Sequence, residues 1–290
     1  MKKKLYNIGI IITITLSGLI LSCKDDDTII EPIEFSEIEE LVSSFQGNRE
    51  SSIVIVNTQG GPVTTTEDDF ITEIMNHTET TNVLWVNVHQ AQTAYPPLFT
   101  NTDISFEQAK TYDAESIEKL KTVITYFKEE RNKTVYVLGI SFGAFMTQEL
   151  IATHGIDVAD KYLIMVGRLN IEEELWMAFS NGQGGGYTYD EEGNPTIVIE
   201  DLDELEDRNM SRLAAGLGYN RYITKLNDIS SLSKITYVFG DRDEQVGPLT
   251  TEEATFLINK GASVLFVENG DHSESIDAGL VELKSIFDLD

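Results

Sequence analysis

The chain has 290 residues, with 49 acidic against 21 basic side chains and a formal charge of −28. That excess disfavours nucleic acid and anionic lipid headgroups as electrostatic partners. A single cysteine excludes an internal disulfide, and the length suits one α/β domain with an insertion or, at most, two small domains.

At the N-terminus, Lys2, Lys3 and Lys4 precede an apolar run from Leu5 to Leu21 that stops at Ser22-Cys23. A basic head, an apolar middle and a small residue at the cut are the features of an export signal. About 17 residues, several of them Thr, Ser or Gly, are short for a membrane span. Cys23 after a small residue resembles the lipobox of bacterial lipoproteins. That resemblance implies an acylated Cys23 as the mature N-terminus and attachment to the cell envelope through lipid. Lys24-Asp25-Asp26-Asp27 resembles the export tag of surface lipoproteins in the Bacteroidetes group, which implies the outer membrane and an outward face. Without residues 1–22, 18 basic residues stand against 49 acidic ones, a formal charge of −31. Residues 23–34 are polar and read as a flexible tether.

Ser36 with Glu39 makes a capping box, and Phe35, Ile38, Leu41, Val42 and Phe45 fall on one helical face. "SSIVIVN" is a wholly apolar strand, and Thr66 opens an amphipathic segment carrying Phe70, Ile71, Ile74 and Met75. "NVLWVNV" is the next strand, followed by a helix capped at Asp113 with Ile117, Leu120, Ile124 and Phe127 on one face. The strand "TVYVLGIS", a helix over about 143–154 and the strand "KYLIMVG" come next. After a long interruption the chain resumes with the strand "KITYVFG", a helix near 250–260, the strand "SVLFVEN" and a last helix from about Ser275. Short apolar strands separated by helices predict a mostly parallel sheet covered on both faces.

The interruption, residues 169–233, is too long for an ordinary connection. Tyr187-Thr188-Tyr189 and Thr196-Ile197-Val198-Ile199 are expected to pair across the turn Asp190-Glu191-Glu192-Gly193-Asn194-Pro195. The segment also holds Trp176, Phe179, Tyr219 and Tyr222. It reads as a lid over the carboxyl ends of the strands, where open α/β sheets bind ligands. The core is then 35–168 with 234–290.

Gly139-Ile140-Ser141-Phe142-Gly143 lies between a strand and a helix. A serine hydroxyl is a weak nucleophile unless an oriented base removes its proton. The chain has four histidines. His77 and His89 precede Ser141, against the order nucleophile, acid, base of the strand–elbow–helix arrangement. His154 lies about three helical turns away, roughly 15 Å. His272, in "NGDHSES" after the final strand, remains. Carboxylates stand between them at Asp241, Asp243 and Glu244.

Over residues 50–290 the chain resembles the α/β-hydrolase family. The resemblance implies Ser141 as nucleophile on the elbow, Asp243 as acid, three residues after Gly240, and His272 as base. Asp241 then caps the turn or pairs with Arg242 or another cation, and Glu244 is the fallback acid. It further implies an oxyanion hole of backbone N–H groups from Phe142 and from Gly60 or Gly61. "QGGP" resembles the family's His-Gly-Gly-Pro loop, with Gln59 in place of histidine. Gln59, His89, Arg168 and Trp176 are candidate substrate contacts, Arg168 for a substrate carboxylate. No metal or cofactor is implied, since the acidic cluster 190–207 lacks the spacing of a calcium loop. The expected activity is hydrolysis of an ester or related small acyl substrate through an acyl-enzyme. A serine peptidase of the prolyl-aminopeptidase type, acting on a peptide substrate, is the runner-up. A non-catalytic surface binding protein on the same scaffold is the reading from another class.

Overall fold

The computed structural model describes residues 33–289. The signal segment 1–22, Cys23 and all but the end of the 23–34 tether lie outside the described residues. The first half of the chain forms α1 (Phe35–Leu41), β1 (Val42–Gly47), β2 (Ile53–Asn57), α2 (Asp68–His77), β3 (Leu84–Val88), α3 (Ala91–Ala94), α4 (Pro96–Asn101), α5 (Phe106–Thr125), β4 (Thr134–Ile140), α6 (Phe142–His154) and β5 (Lys161–Met165). The segment after β5 contains α7 (Glu173–Ser180), the strands β6 (Gln183–Tyr189) and β7 (Pro195–Asp201), α8 (Leu205–Gly218) and α9 (Tyr222–Lys225). β8 (Ile235–Gly240), α10 (Thr251–Asn259), β9 (Ser263–Val267), α11 (His272–Val281) and α12 (Leu283–Ile286) complete it.

Seven strands form one sheet in the order β1-β3-β2-β4-β5-β8-β9. All pairings are parallel except β1 with β3. The alternation of strand side chains divides the core between the two faces. Val54 and Val56 pack in one layer with Leu120, Leu150 and Leu213. Ile55, between them, packs in the other with Ile71, Leu280 and Phe287. Because β2 is followed outward by β3 and then flanked by β4, the chain reverses direction across the sheet between β2 and β4. Open α/β sheets bind their ligands at such a reversal.

Four boundaries differ from the sequence expectation. The first helix ends at Leu41, and Val42 and Phe45 belong to a strand instead. Pairing of β1 covers the otherwise open edge of β3, and the Ser43 and Ser44 hydroxyls donate to Asp68 Oδ1 at 2.8 and 2.6 Å. Glu34, not Ser36, is the N-cap of α1, and no side chain caps it. α5 starts at Phe106 behind a capping box of Ser105 and Gln108, so Asp113 lies inside the helix, buried, rather than at its start. The last long helix begins at His272 rather than Ser275, because Asp271 caps it through Glu274 N–H at 2.8 Å.

The expected hairpin is present. Tyr187 pairs with Ile197, Thr188 with Thr196 and Tyr189 with Pro195.

Candidate active site

β4 delivers Ser141 at its carboxyl end, on the reversal point of the sheet. Ser141 has φ 55° and ψ −117°, a conformation that costs a non-glycine residue on the order of 1–3 kcal/mol. Tight packing around the turn holds it there. A Cβ on Gly139 would come within 2.3 Å of Thr147 Oγ1, and one on Gly143 within 2.4 Å of the Gln59 carbonyl oxygen. The second contact presses the turn after β2 directly against the start of α6. Thr58 Oγ1 reinforces it by donating to the Gly143 carbonyl at 2.9 Å.

His272 is brought in from the far side of the sheet by the loop after β9. Its Nδ1 lies 2.8 Å from Asp243 Oδ2, and both side chains are buried. Asp243 is held in turn from the loop after β8, where its Oδ1 accepts the Gln245 and Val246 N–H groups at 2.9 and 3.0 Å. Asp243 thus bonds the ring. The Glu244 carboxylate meets only the His272 backbone N–H, at 3.4 Å, and Asp241 Oδ1 is buried without a partner among the described residues.

Ser141 and His272 line one cavity of about 230 Å³ with Glu67, Gln245, Phe70 and Ile276. A larger cavity of about 590 Å³ also borders Ser141. Its apolar walls include Phe145, Ile171, Phe179 and Met210, and its charged lining residues are Glu200, Glu206, Asp207 and Glu244. Gly61, Ser141 and Gln245 belong to both linings, so the two cavities meet at the serine. No hydrogen bond joins Ser141 to His272 among the described residues. Such contacts commonly tighten only when substrate binds.

The oxyanion candidates divide. The Gly60 N–H is occupied by Glu67 Oε2 at 2.8 Å. The Phe142 and Gly61 N–H groups donate to no protein group among the described residues and remain available.

The four residues proposed from sequence as substrate contacts take other places, and none lines either cavity. Gln59 is buried, with Nε2 donating to the Val88 carbonyl at 2.8 Å and Oε1 accepting the Glu67 N–H at 3.0 Å. It braces the turn after β2. His89 Nδ1 lies 3.0 Å from Thr93 Oγ1, and burial, then the positive Lys119, lowers its pKa. Arg168 is buried in an ion pair with Glu253, Nε to Oε2 3.0 Å, and also meets Glu172. Trp176 stacks on Phe106 with ring centroids 6.2 Å apart. Phe179, one helical turn further on, lines the large cavity.

Sequence reasoning overlooked Glu67, which stands just before α2 and carried no motif. Burial raises its pKa against the opposing hydrogen bond from Gly60.

The strand β6 is fastened to the loop that carries Asp243. The Tyr187 N–H donates to the Glu244 carbonyl at 2.7 Å, and Tyr189 Oη donates to the Asp243 carbonyl at 2.6 Å.

No family model matches the sequence, and no curated protein matches it. Solved structures do match in shape. One is MGS-M2, an α/β hydrolase enzyme from a Medee basin deep-sea metagenome library, with TM-score 0.52 and 10% identity over 85% of this chain and 94% of that one. Another is an esterase from Exiguobacterium antarcticum, with TM-score 0.52 and 11% identity over 84% and 94%. A third is the 2-hydroxy-6-oxo-6-phenylhexa-2,4-dienoate hydrolase of Rhodococcus sp. strain RHA1, with TM-score 0.51 and 14% identity over 83% and 92%. The chain has the α/β-hydrolase fold.

Proposed function

We propose that the chain is a serine hydrolase that cleaves a carboxylic ester or related acyl substrate through an acyl-enzyme. One observation carries the reading: Ser141 sits on a strained strand-to-helix turn and shares a cavity with a histidine whose other nitrogen is held by a buried carboxylate. Asp243 accepts the Nδ1–H bond of His272 and so leaves Nε2 free to take the Ser141 proton. Ser141 Oγ then attacks the acyl carbon, and the Phe142 and Gly61 N–H groups meet the oxygen where negative charge develops. His272 passes its proton to the leaving group. Water repeats the sequence in reverse and frees the serine.

The large cavity is within the size range of small-molecule sites, and its apolar wall fits an acyl or aromatic group. Residues 169–233 supply much of that wall and are read as a lid. The four carboxylates of the lining favour a second reading, an aminopeptidase that holds a substrate amine. Comparing short acyl esters with aminoacyl amides separates the two.

Labelling by a fluorophosphonate probe tests the central claim. The wild-type protein is expected to label at Ser141, and Ser141→Ala is expected not to. Absence of labelling in the folded wild type refutes nucleophile activation and leaves a binding protein on a hydrolase scaffold.

A further inference from the structure

The Asp243–His272 pair needs no third acidic group, yet Glu67 lines the small cavity beside them. Its Oε2 is fixed by the Gly60 N–H at 2.8 Å. Its Oε1 has no hydrogen-bond partner, and no basic side chain pairs with the carboxylate, among the described residues. The group is aimed by its backbone, since the Glu67 N–H is tied to Gln59, and Gln59 to Val88. The titratable residues lining the cavity are Glu67 and His272, and the neighbouring walls are Phe70 and Ile276. If Glu67 served only to hold the Gly60 loop, a neutral acceptor would do so without a poorly solvated charge. A partly buried, unpaired carboxylate beside a nucleophile is the arrangement found where a group is put to chemical use.

We infer that Glu67 orients the water that releases the acyl group from Ser141, acting beside His272 and not in its place. The inference rests on the acyl-enzyme reading above. The two cavities meet at Ser141, so substrate in the larger one leaves the smaller as an approach for water. The small cavity has ample room for a water, and Glu67, with one unpartnered carboxylate oxygen, and His272 both line it. In the step, the water oxygen forms a bond to the acyl carbon while one of its protons passes to His272 Nε2. Collapse of the adduct breaks the carbon–Oγ bond, and His272 returns that proton to Ser141. Glu67 accepts only a hydrogen bond from the water and ends unchanged. The burial that raises its pKa also makes it a stronger acceptor than an exposed carboxylate.

Stopped-flow hydrolysis of p-nitrophenyl acetate separates acylation from deacylation. In Glu67→Gln the amide oxygen can still accept the Gly60 N–H. The acylation burst is expected to stay within about twofold of wild type while turnover after the burst falls about 10- to 100-fold. Acetylated Ser141 should then accumulate, visible by mass spectrometry of the intact protein. Glu67→Asp, which keeps the charge but withdraws it by a methylene, should show the same selective slowing and serves if the first variant does not fold. Turnover unchanged within twofold overturns the inference. So does a parallel fall in burst and turnover, which is the signature of a loop that has merely shifted. Wild type that neither labels with fluorophosphonate nor forms acetyl-enzyme defeats the serine-hydrolase reading itself, and the inference with it.

Discussion

Replacing Arg168 by methionine tests whether the one cation at the end of β5 serves substrate or scaffold. The guanidinium is buried between Glu253, at 3.0 Å, and Glu172, at 3.2 Å. Methionine keeps most of the aliphatic volume and removes the charge. Breaking a buried ion pair by removing one partner generally costs about 3–5 kcal/mol, because the other charge is left uncompensated. Here Glu253 would keep three backbone donors, Leu169 N–H at 2.9 Å and the Asn170 and Thr250 N–H groups at 2.7 Å each. Those bonds place the expected loss at the low end, about 3 kcal/mol. For a domain of this size each kcal/mol lowers Tm by about 2–4 °C, so the variant should melt about 6–12 °C lower. Differential scanning calorimetry reads that shift. Adding Glu253→Gln should recover part of the loss by removing the orphaned charge. KM for an ester bearing a free carboxylate should match wild type at temperatures where the variant is folded. A Tm within about 2 °C of wild type, with KM raised tenfold for the carboxylate ester alone, would refute the argument and return Arg168 to the substrate.

Asp243→Asn should lower kcat severely, toward the roughly 10⁴-fold loss known for this change in triads, while Asp241→Asn should cost about tenfold or less. Steady-state kinetics on both folded variants checks the pair, and the reverse ranking sinks the assignment. Asp113→Asn should stabilise the protein at neutral pH. Burial, and then the negative Glu149, holds the Asp113 carboxyl well above its ordinary 3.8 in the folded state. The folded protein therefore binds more protons than the unfolded chain above that value, and stability is lost as pH rises from 3.8 through the folded pKa. The advantage of asparagine should accordingly be near zero at pH 3 and grow with pH in urea melts, and an advantage independent of pH would show that Asp113 does not titrate in this way.

Elements whose signal is local were legible in the sequence. The strand–elbow–helix unit announced itself through Gly139 and Gly143, because each meets backbone or side-chain atoms within one short turn or its neighbour. The β6–β7 hairpin was legible because Gly193, Asn194 and Pro195 punctuate two alternating runs. Asp243 and His272 were legible because each lies just past the end of a strand. What failed depended on partners that no local pattern marks. Val42 and Phe45 fit a helical face as well as they fit a strand, and only the open edge of β3 decides between them. Asp113 resembles a cap until the stronger Ser105–Gln108 box upstream is weighed. Arg168, Gln59 and Glu67 are charged or polar residues whose roles are set by Glu253, Val88 and Gly60, and no spacing reveals such pairings.

The two bonds from β6 to the Glu244 and Asp243 carbonyls join the cavity wall to the loop of Asp243, the proposed acid. A cap attached only at its ends would be a module, free to be exchanged for another with no effect on the chemistry beneath. This one is hydrogen-bonded to the backbone of the loop that carries Asp243. On the proposed mechanism, a change in β6 that suits a different substrate also shifts the carboxylate paired with His272, which ties recognition to turnover. For an engineer, the cavity is safer to alter from α7 or α8, where Phe179 and Met210 line it and are not part of the two hydrogen bonds to the Asp243 loop.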